Sequence, residues 1–308
     1  MNILVTGGAG FIGSHVAQAF AAAGHDVLVV DDLSTGQRAN LPAGVAFEQL
    51  DVRAPALQAL IEKQRPAVIA HLAAQIDVRK SVSDPVFDAE VNVVGTVRLA
   101  QAAARAGCGS ILFASTGGAI YGEQDVFPAP ETHPLRPVSP YGTAKLCAEH
   151  YLATFERLGG PRACCLRFAN VYGPRQDPHG EAGVVAIFAR RLLDGGQPVI
   201  YGDGGQTRDY VYVEDVARAH LLAVERGAAG TFNIGTGIET DVNRLAALLG
   251  QACGRSVTAR HEPERPGEQR RSSVDPGQAA AAFGWQPQVE LADGLARTVE
   301  FFRQQAER

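Results

Sequence analysis

The sequence has few large anchoring side chains. One Trp, one Met and 7% aromatic residues stand beside 34 glycines, a balance that suits tight βα turns better than a β-sandwich. No stretch approaches the roughly 18 consecutive apolar residues of a membrane helix, so no membrane association is expected. An excess of positive charge is also missing. The 28 Lys and Arg are outnumbered by 33 Asp and Glu, for a net charge of −5. A surface that is basic throughout, and with it a nucleic-acid partner, is therefore not expected, although a local basic pocket remains compatible. The start, Met1-Asn2 and then Ile3-Leu4-Val5, lacks a basic leader and runs into Gly7, which reads as a strand and not a secretory signal. The five cysteines (Cys108, Cys147, Cys164, Cys165, Cys253) are odd in number and include no C-x-x-C. They read as small buried hydrophobes of a reducing, cytoplasmic setting. The eight histidines show no H-E-x-x-H spacing, and no metal site is expected.

What is present is alternation. Short β-branched runs at 2–6, 27–30, 45–50, 67–71, 110–114 and 163–168 alternate with Ala-rich helical stretches at 11–23, 55–64, 86–106 and 141–158. This pattern predicts an α/β fold: a Rossmann-type, doubly wound parallel sheet covered by helices on both faces. After Asn170 the texture turns to Gly-Pro loops and shorter elements. Residues 1–170 are expected to form a dinucleotide-binding domain. Residues 171–308 form a smaller, interleaved substrate domain, with segments near 207–235 free to return to the first.

The first strand runs into Thr6-Gly7-Gly8-Ala9-Gly10-Phe11-Ile12-Gly13. Gly7, Gly10 and Gly13 have the spacing that lets a backbone turn tightly, approach a pyrophosphate and pack closely on a helix. The helix beginning near Phe11 offers free N–H groups to phosphate. Asp31 follows at the end of the second strand, where a carboxylate meets the adenosine ribose. A carboxylate there also repels an extra 2′-phosphate, so NAD is expected over NADP, with Arg38 the one nearby cation that could reverse this. Asp51-Val52, after the third strand, is placed either to face the adenine or simply to cap the strand.

Tyr141 and Lys145 form Y-x-x-x-K at a helix start, which puts both on one face. An ammonium beside the phenol would favour tyrosinate and make Tyr141 a proton acceptor near neutral pH. Ser115 and Thr116 end a strand upstream, at the sheet edge where such folds bind ligands.

Together these segments resemble the extended short-chain dehydrogenase/reductase family, in particular its NAD-dependent nucleotide-sugar epimerases and dehydratases. The match is carried by Val5 to His15, His71-Leu72-Ala73-Ala74-Gln75, Asn92, Ser115 to Gly122, Tyr141-x-x-x-Lys145, Arg167 to Pro174, Arg208 to Val216 and Phe283-Gly284-Trp285-x-Pro287. It covers essentially the whole chain and lies nearest the 4-epimerases of UDP-hexoses. The resemblance implies further cofactor contacts at Asp32, Ser34, Gly36, Leu72, Ala73, Ala74, Gln75, Asn92, Ser115 and Lys145. It implies that Tyr141 takes the proton of the sugar 4-hydroxyl while hydride leaves C4 for NAD. A Ser or Thr hydroxyl then binds the same oxygen. The usual hydroxyl position falls on Gly117, which leaves Thr116 first and Ser115 second. Ala169 stands where many relatives carry an aromatic. Asn170, Arg208 and Arg265 are implied contacts of the substrate diphosphate, and Ser272 occupies a gate position beside the sugar C2 substituent. A small gate implies that N-acetylated UDP-hexoses are admitted as well. A homodimer is implied, with helices 86–106 and 141–158 as its interface and Ala100, Ala102, Ala103, Ala104 and Ala106 as close-contact residues. The alternatives are a UDP-uronate 4-epimerase, a dehydratase or decarboxylase of the same family, and a non-enzymatic NAD-sensing module. Against dehydration, Gly117-Gly118 stands where those relatives carry an Asp-Glu pair. Against the sensor, Tyr141 and Lys145 are intact.

Overall fold

The apolar run Ile3-Leu4-Val5 is buried on both sides, as the middle strand of a parallel sheet must be. In the computed structural model, which describes residues 1–178, 183–264 and 269–306, the first half runs β1 (Asn2–Thr6), α1 (Phe11–Ala22), β2 (Asp26–Asp31), β3 (Ala46–Gln49), α2 (Pro55–Gln64), β4 (Val68–His71), α3 (Val78–Ser83), α4 (Pro85–Ala89), a π turn (Glu90–Val94), α5 (Gly95–Ala106), β5 (Ser110–Thr116), α6 (Pro140–Arg157) and β6 (Arg162–Phe168). The second half adds β7 (Asn170–Tyr172), α7 (Val184–Leu193), β8 (Val199–Tyr201), β9 (Thr207–Tyr212), α8 (Val213–Glu225), β10 (Gly230–Ile234), β11 (Glu239–Asp241), α9 (Val242–Cys253), β12 (Arg260–Glu262), α10 (Gly277–Phe283) and α11 (Leu291–Ala306).

The main sheet has seven strands in the order β3-β2-β1-β4-β5-β6-β10, and every pairing in it is parallel. Strand order reverses between β1 and β4, which opens a crevice at the carboxyl ends of the strands. The two faces carry separate cores. Val16, Phe20, Val216, Phe283 and Trp285 fill one with Cys164, while Leu57, Ile61, Leu99 and Ala103 fill the other with Cys165. The adjacent cysteines thus point to opposite faces, and all five are free thiols. Ala100, Ala102, Ala103 and Ala106 belong to the second core. Their place as contacts for a second copy is corrected: helix-to-sheet packing consumes them, and only Ala104 of that set is exposed.

The chain leaves the main sheet at Ala169, whose N–H donates to Ile234 O at 2.9 Å. It enters a second sheet, β11-β9-β7, packed under α7, α9 and α11 by Tyr172, Phe188, Leu192, Leu245 and Phe302. Residues 230–234 return to the main sheet as β10, whereas 207–212 stay in the second. The expected helix at 86–106 is broken into α4, the π turn and α5. Among the described residues, no helix is long and apolar enough to cross a membrane, and no group of three or more His, Cys, Asp or Glu could hold a metal ion.

Candidate active site

Four strand ends converge on the crevice. After β1, Gly7 adopts a positive φ of 68°, and a Cβ there would lie 2.5 Å from Ala73 N. Gly13 packs closer still, since its Cβ would meet Gly7 O at 2.1 Å. These two glycines let the β1 loop, the β4 loop and α1 touch. Gly10 caps α1 with no side-chain hydrogen bond, so the first N–H groups at Phe11, Ile12 and Gly13 face the crevice without a side-chain cap.

Asp31 is buried at the end of β2. It accepts from Ala9 N at 3.0 Å and Leu33 N at 2.8 Å, and burial pushes its carboxyl up against those bonds. A Cβ at Gly36 would stand 2.8 Å from Asp31 Oδ1, so only glycine fits so close against that carboxylate. Arg38 lies over the Phe47 ring, 5.0 Å from its centroid. Asp32 and Ser34 form an exposed turn, with Ser34 N and Oγ both donating to Asp32 Oδ1. Asp51 is committed to Arg53, from N at 2.7 Å and Nε at 3.0 Å; this is the capping alternative. Val52 is buried and packs against Gly95. The β4 loop, Leu72 to Gln75, is tied down by buried Asn92. Its Oδ1 accepts from Gln75 N at 3.0 Å and its Nδ2 donates to Gln75 O at 2.9 Å. The π turn is what swings Asn92 inward. An uncapped helix end, a close-packed glycine loop and a carboxylate at the end of β2 fit a dinucleotide.

At the end of β5 the two hydroxyls part. Ser115 Oγ donates to Glu149 Oε1 at 2.5 Å beneath the sheet edge. Thr116, the next strand residue, is half-buried, and its hydroxyl favours the ionised form of the Tyr141 phenol. Lys145 is buried and donates to Ala114 O at 2.9 Å, with its Nζ 4.7 Å from the Phe113 ring centroid and 5.9 Å from that of Tyr141. The expectation that the ammonium lowers the Tyr141 pKa is corrected here. Burial pushes the phenol up to about 12, the Asp88 carboxylate adds to this, and the Thr116 hydroxyl opposes it. Burial likewise pulls Lys145 down to about 8, against Asp88 and Glu149. Desolvation therefore outweighs the mutual help of the pair.

Gly117 has no room for a side chain. Its Cβ would lie 2.9 Å from Val274 Cγ1 and 3.2 Å from Phe168 O. Gly118 faces Thr116 instead, with its Cβ position 4.0 Å from Thr116 Oγ1 and 3.7 Å from Asn170 Oδ1. Asn170 is thereby brought to the rim beside Thr116. Ser272 is buried at 3% exposure, so it is not an exposed loop residue. Arg208 is half-buried at the start of β9 and donates to Thr207 O at 2.8 Å. Arg265 lies outside the described residues. Near that segment Tyr201, Gly202, Gln206, Glu264 and Arg270 line a small cleft. The sequence reading missed Asp88 and Glu149. Glu149 continues the Tyr141, Lys145 spacing by four more residues, and Asp88 precedes Asn92 by four; both spacings were available as signals.

A glycine-turn dinucleotide crevice beside a Tyr, Lys and Thr cluster defines an NAD-dependent short-chain dehydrogenase/reductase fold. The chain belongs to the NAD-dependent epimerase/dehydratase family, whose model matches residues 3–235. It is 47% identical to a UDP-glucose 4-epimerase of Mycolicibacterium smegmatis, over all of both chains. It superimposes on a UDP-glucose 4-epimerase of Thermotoga maritima solved with UDP-glucose, with a TM-score of 0.97, 48% identity and coverage of 99% of this chain and 100% of that one. A Thermus thermophilus UDP-glucose 4-epimerase in complex with NAD gives 0.93 and 45%, with coverage of 98% and 99%.

The Asp31 carboxylate at the end of β2 and the stacked Arg38 together favour NAD. Calorimetric titration of cofactor-stripped protein should give NAD an affinity about 100-fold above that of NADP, as expected for one unscreened phosphate–carboxylate encounter. Equal affinities would remove Asp31 as the discriminator.

Proposed function

We propose that this chain is an NAD-dependent 4-epimerase of UDP-hexoses, interconverting UDP-glucose and UDP-galactose through a 4-keto sugar. The observation that carries the reading is the gathering of Tyr141, buried Lys145 and Thr116 at the rim of the dinucleotide crevice, with Lys145 Nζ 5.9 Å from the Tyr141 ring centroid and Asn170 beside Thr116. When bound, NAD supplies the place where hydride from the sugar C4 is held and from which it returns. Tyr141 removes the proton of the 4-hydroxyl and gives it back to the other epimer. Thr116 would hold the same oxygen, and Lys145 would hold the nicotinamide ribose and supply positive charge beside Tyr141. Ser115 does not share the role on this reading, because Glu149 occupies its hydroxyl. Asn170, Arg208 and Arg265 take the diphosphate, where an Arg fork suits phosphate oxygens. Elimination across C5–C6 would need an acid and a base at 117–118, and two glycines offer neither. The five free thiols support a reducing compartment such as the cytoplasm.

The deciding experiment incubates the NAD-loaded protein with UDP-galactose and separates the hexose epimers. Turnover is expected, Thr116→Val should lower kcat about 100-fold, and Ser115→Ala should act only through stability. No epimer from the unaltered protein would end the reading.

Ser272 belongs to the same pocket as its gate. Steric exclusion is a repulsive device, so a small gate admits bulk. UDP-N-acetylglucosamine should turn over, and Ser272→Tyr should abolish that activity while sparing the plain hexose. Loss of both together would remove the gate role.

For the quaternary state, we propose a homodimer through α6 and the neighbouring α3 and α4. Val82 and Val86 are 64% and 68% exposed and Tyr151 is 44% exposed, an apolar surface of the kind that marks contact with a partner. Thr143, Leu146, Cys147 and His150 line a shallow groove beside Tyr151. A helix face that packs on its own copy fits the two-fold symmetry usual in such assemblies. Light scattering should give a dimer at micromolar concentration, and Val86→Glu with Tyr151→Glu should give a monomer. A monomeric unaltered chain would exclude this interface.

A further inference from the structure

The segment from Gln269 to Asp275 crosses the rim of the crevice as a strap. Its arginines, Arg270 and Arg271, are exposed, whereas Ser272, Ser273 and Val274 are buried. Val274 presses on Gly117, where a Cβ would lie 2.9 Å from Val274 Cγ1. Ser272 precedes Val274 by two, the spacing that shares one face of an extended chain. Neutral bonds tie the strap to the stretch that follows β5. Ala129 N donates to Ser273 O and Asp275 N to Ala129 O, both at 2.9 Å. Ser273 N donates to Gln124 Oε1 at 3.1 Å, and Gln269 Nε2 to Gly122 O at 2.6 Å.

On the side of the second half the strap is held by charge. Arg270 forks onto Asp203, in the turn after β8, through Nη1 and Nη2 at 2.8 Å each. Arg271 forks onto Glu239, the first residue of β11, through Nε at 3.0 Å and Nη2 at 2.5 Å. Its guanidinium also lies 3.8 Å from the centroid of the Phe127 ring. Thr207 N donates to Arg270 O at 3.0 Å, so β9 is joined to the same point. Both pairs are bidentate, the geometry in which an exposed ion pair acts measurably. The proposed reaction uses neither arginine, yet the two stand next to Ser272 in the chain.

We propose that Arg270 and Arg271 are positioning residues for the sugar pocket: their ion pairs with Asp203 and Glu239 fix the height of the strap and so seat Ser272 against the C2 substituent. This role rests on the 4-epimerase reading and on Ser272 as its gate. A small Ser leaves a gap that a hydroxyl does not span. The bulkier acetamido group is the one that meets the strap, and it gains from a wall already held in place.

Asp203→Asn combined with Glu239→Gln removes both charges and keeps the shape. Each amide oxygen can still accept the bond that its carboxylate takes from Gly205 N or Thr207 Oγ1. Calorimetry on the NAD-loaded protein, with UDP-glucose and UDP-N-acetylglucosamine titrated separately, gives a ratio of affinities from which the shared nucleotide cancels. In the double variant the acetamido sugar should bind about fivefold more weakly and the plain hexose almost unchanged. Added salt should move the ratio of the unaltered protein the same way and leave that of the double variant flat. If the double variant does not fold, either single variant carries the test with a smaller shift. Ser272→Tyr in the same titration separates the two readings. A ratio moved by Ser272→Tyr, but not by the ion-pair variants, overturns the positioning role and keeps the gate; a ratio moved by neither overturns both. Equal weakening of the two sugars also overturns the role, because general loosening does not discriminate between them. A shifted ratio in a chain without turnover keeps the role and ends only the epimerase reading.

Discussion

The arrangement above the sheet depends on one buried ion pair beneath it. Arg167, on β6, donates to Glu149, on α6, through Nε at 3.0 Å and Nη2 at 2.7 Å. Ser115 adds a third bond to the same carboxylate. The remaining guanidinium nitrogen donates to Tyr121 OH at 3.0 Å, and Tyr121 donates to Asn233 Oδ1 at 2.7 Å. Asn233 Nδ2 in turn reaches Ala129 O and Asp275 O. One connected set of bonds therefore fixes β5, α6, β6, β10 and the segment that carries Ser272. Leaving one charge of such a pair unmatched costs roughly 3–5 kcal/mol. The pair also decides direction, because holding Ser115 downward turns the next strand residue, Thr116, toward Tyr141.

The second half uses carboxylates in the same manner, with backbone as the partner. Buried Asp209 accepts from Thr236 N, Thr236 Oγ1, Gly237 N and Val274 N. Asp215 accepts from Gln288 N and Val289 N, and its carbonyl takes the Trp285 indole N–H at 2.8 Å. The motif running from Arg208 to Val216 is thus largely a device for joining loops. Asp209 pins the 236–237 turn and Val274 to β9, which leaves Arg208 at the strand start beside the substrate half. Val274 then presses on Gly117. The missing hydroxyl at 117 and the seating of the gate segment are two sides of one contact.

Local pattern was enough to read the six strands of the first half, the glycine loop, Asp31 and the Tyr141–Lys145 pair, since each needs only a strand, a turn or one helix face. Several elements were not legible, α3 (Val78–Ser83) among them. β7, β8, β11 and β12 have three residues each, too short for any periodicity to register. The π turn at Glu90–Val94 carries no sequence mark of its own, yet it alone turns Asn92 toward the β4 loop. Most instructive is the charge of Tyr141. A neighbouring Lys, read along one helix, argued for an easy tyrosinate. Burial and Asp88, which arrives from a different helix 53 positions earlier, argue the other way and prevail. Desolvation is a property of the assembled site, and no window of sequence contains it.

That reversal bears on the proposed chemistry. An epimerase that returns its proton in every cycle must be base and acid by turns, so its phenol cannot be tuned for removal alone. A Tyr141 held too high rarely ionises, and one held too low fails to give the proton back. The groups around it pull in both senses. Thr116 favours the tyrosinate. Asp88 and the dry surroundings favour the phenol. Lys145, shifted toward neutrality by the same dryness, keeps its charge with help from Asp88 and Glu149. Balance of this kind suits a reaction run equally in both directions better than one driven to elimination, where only one proton transfer has to be fast.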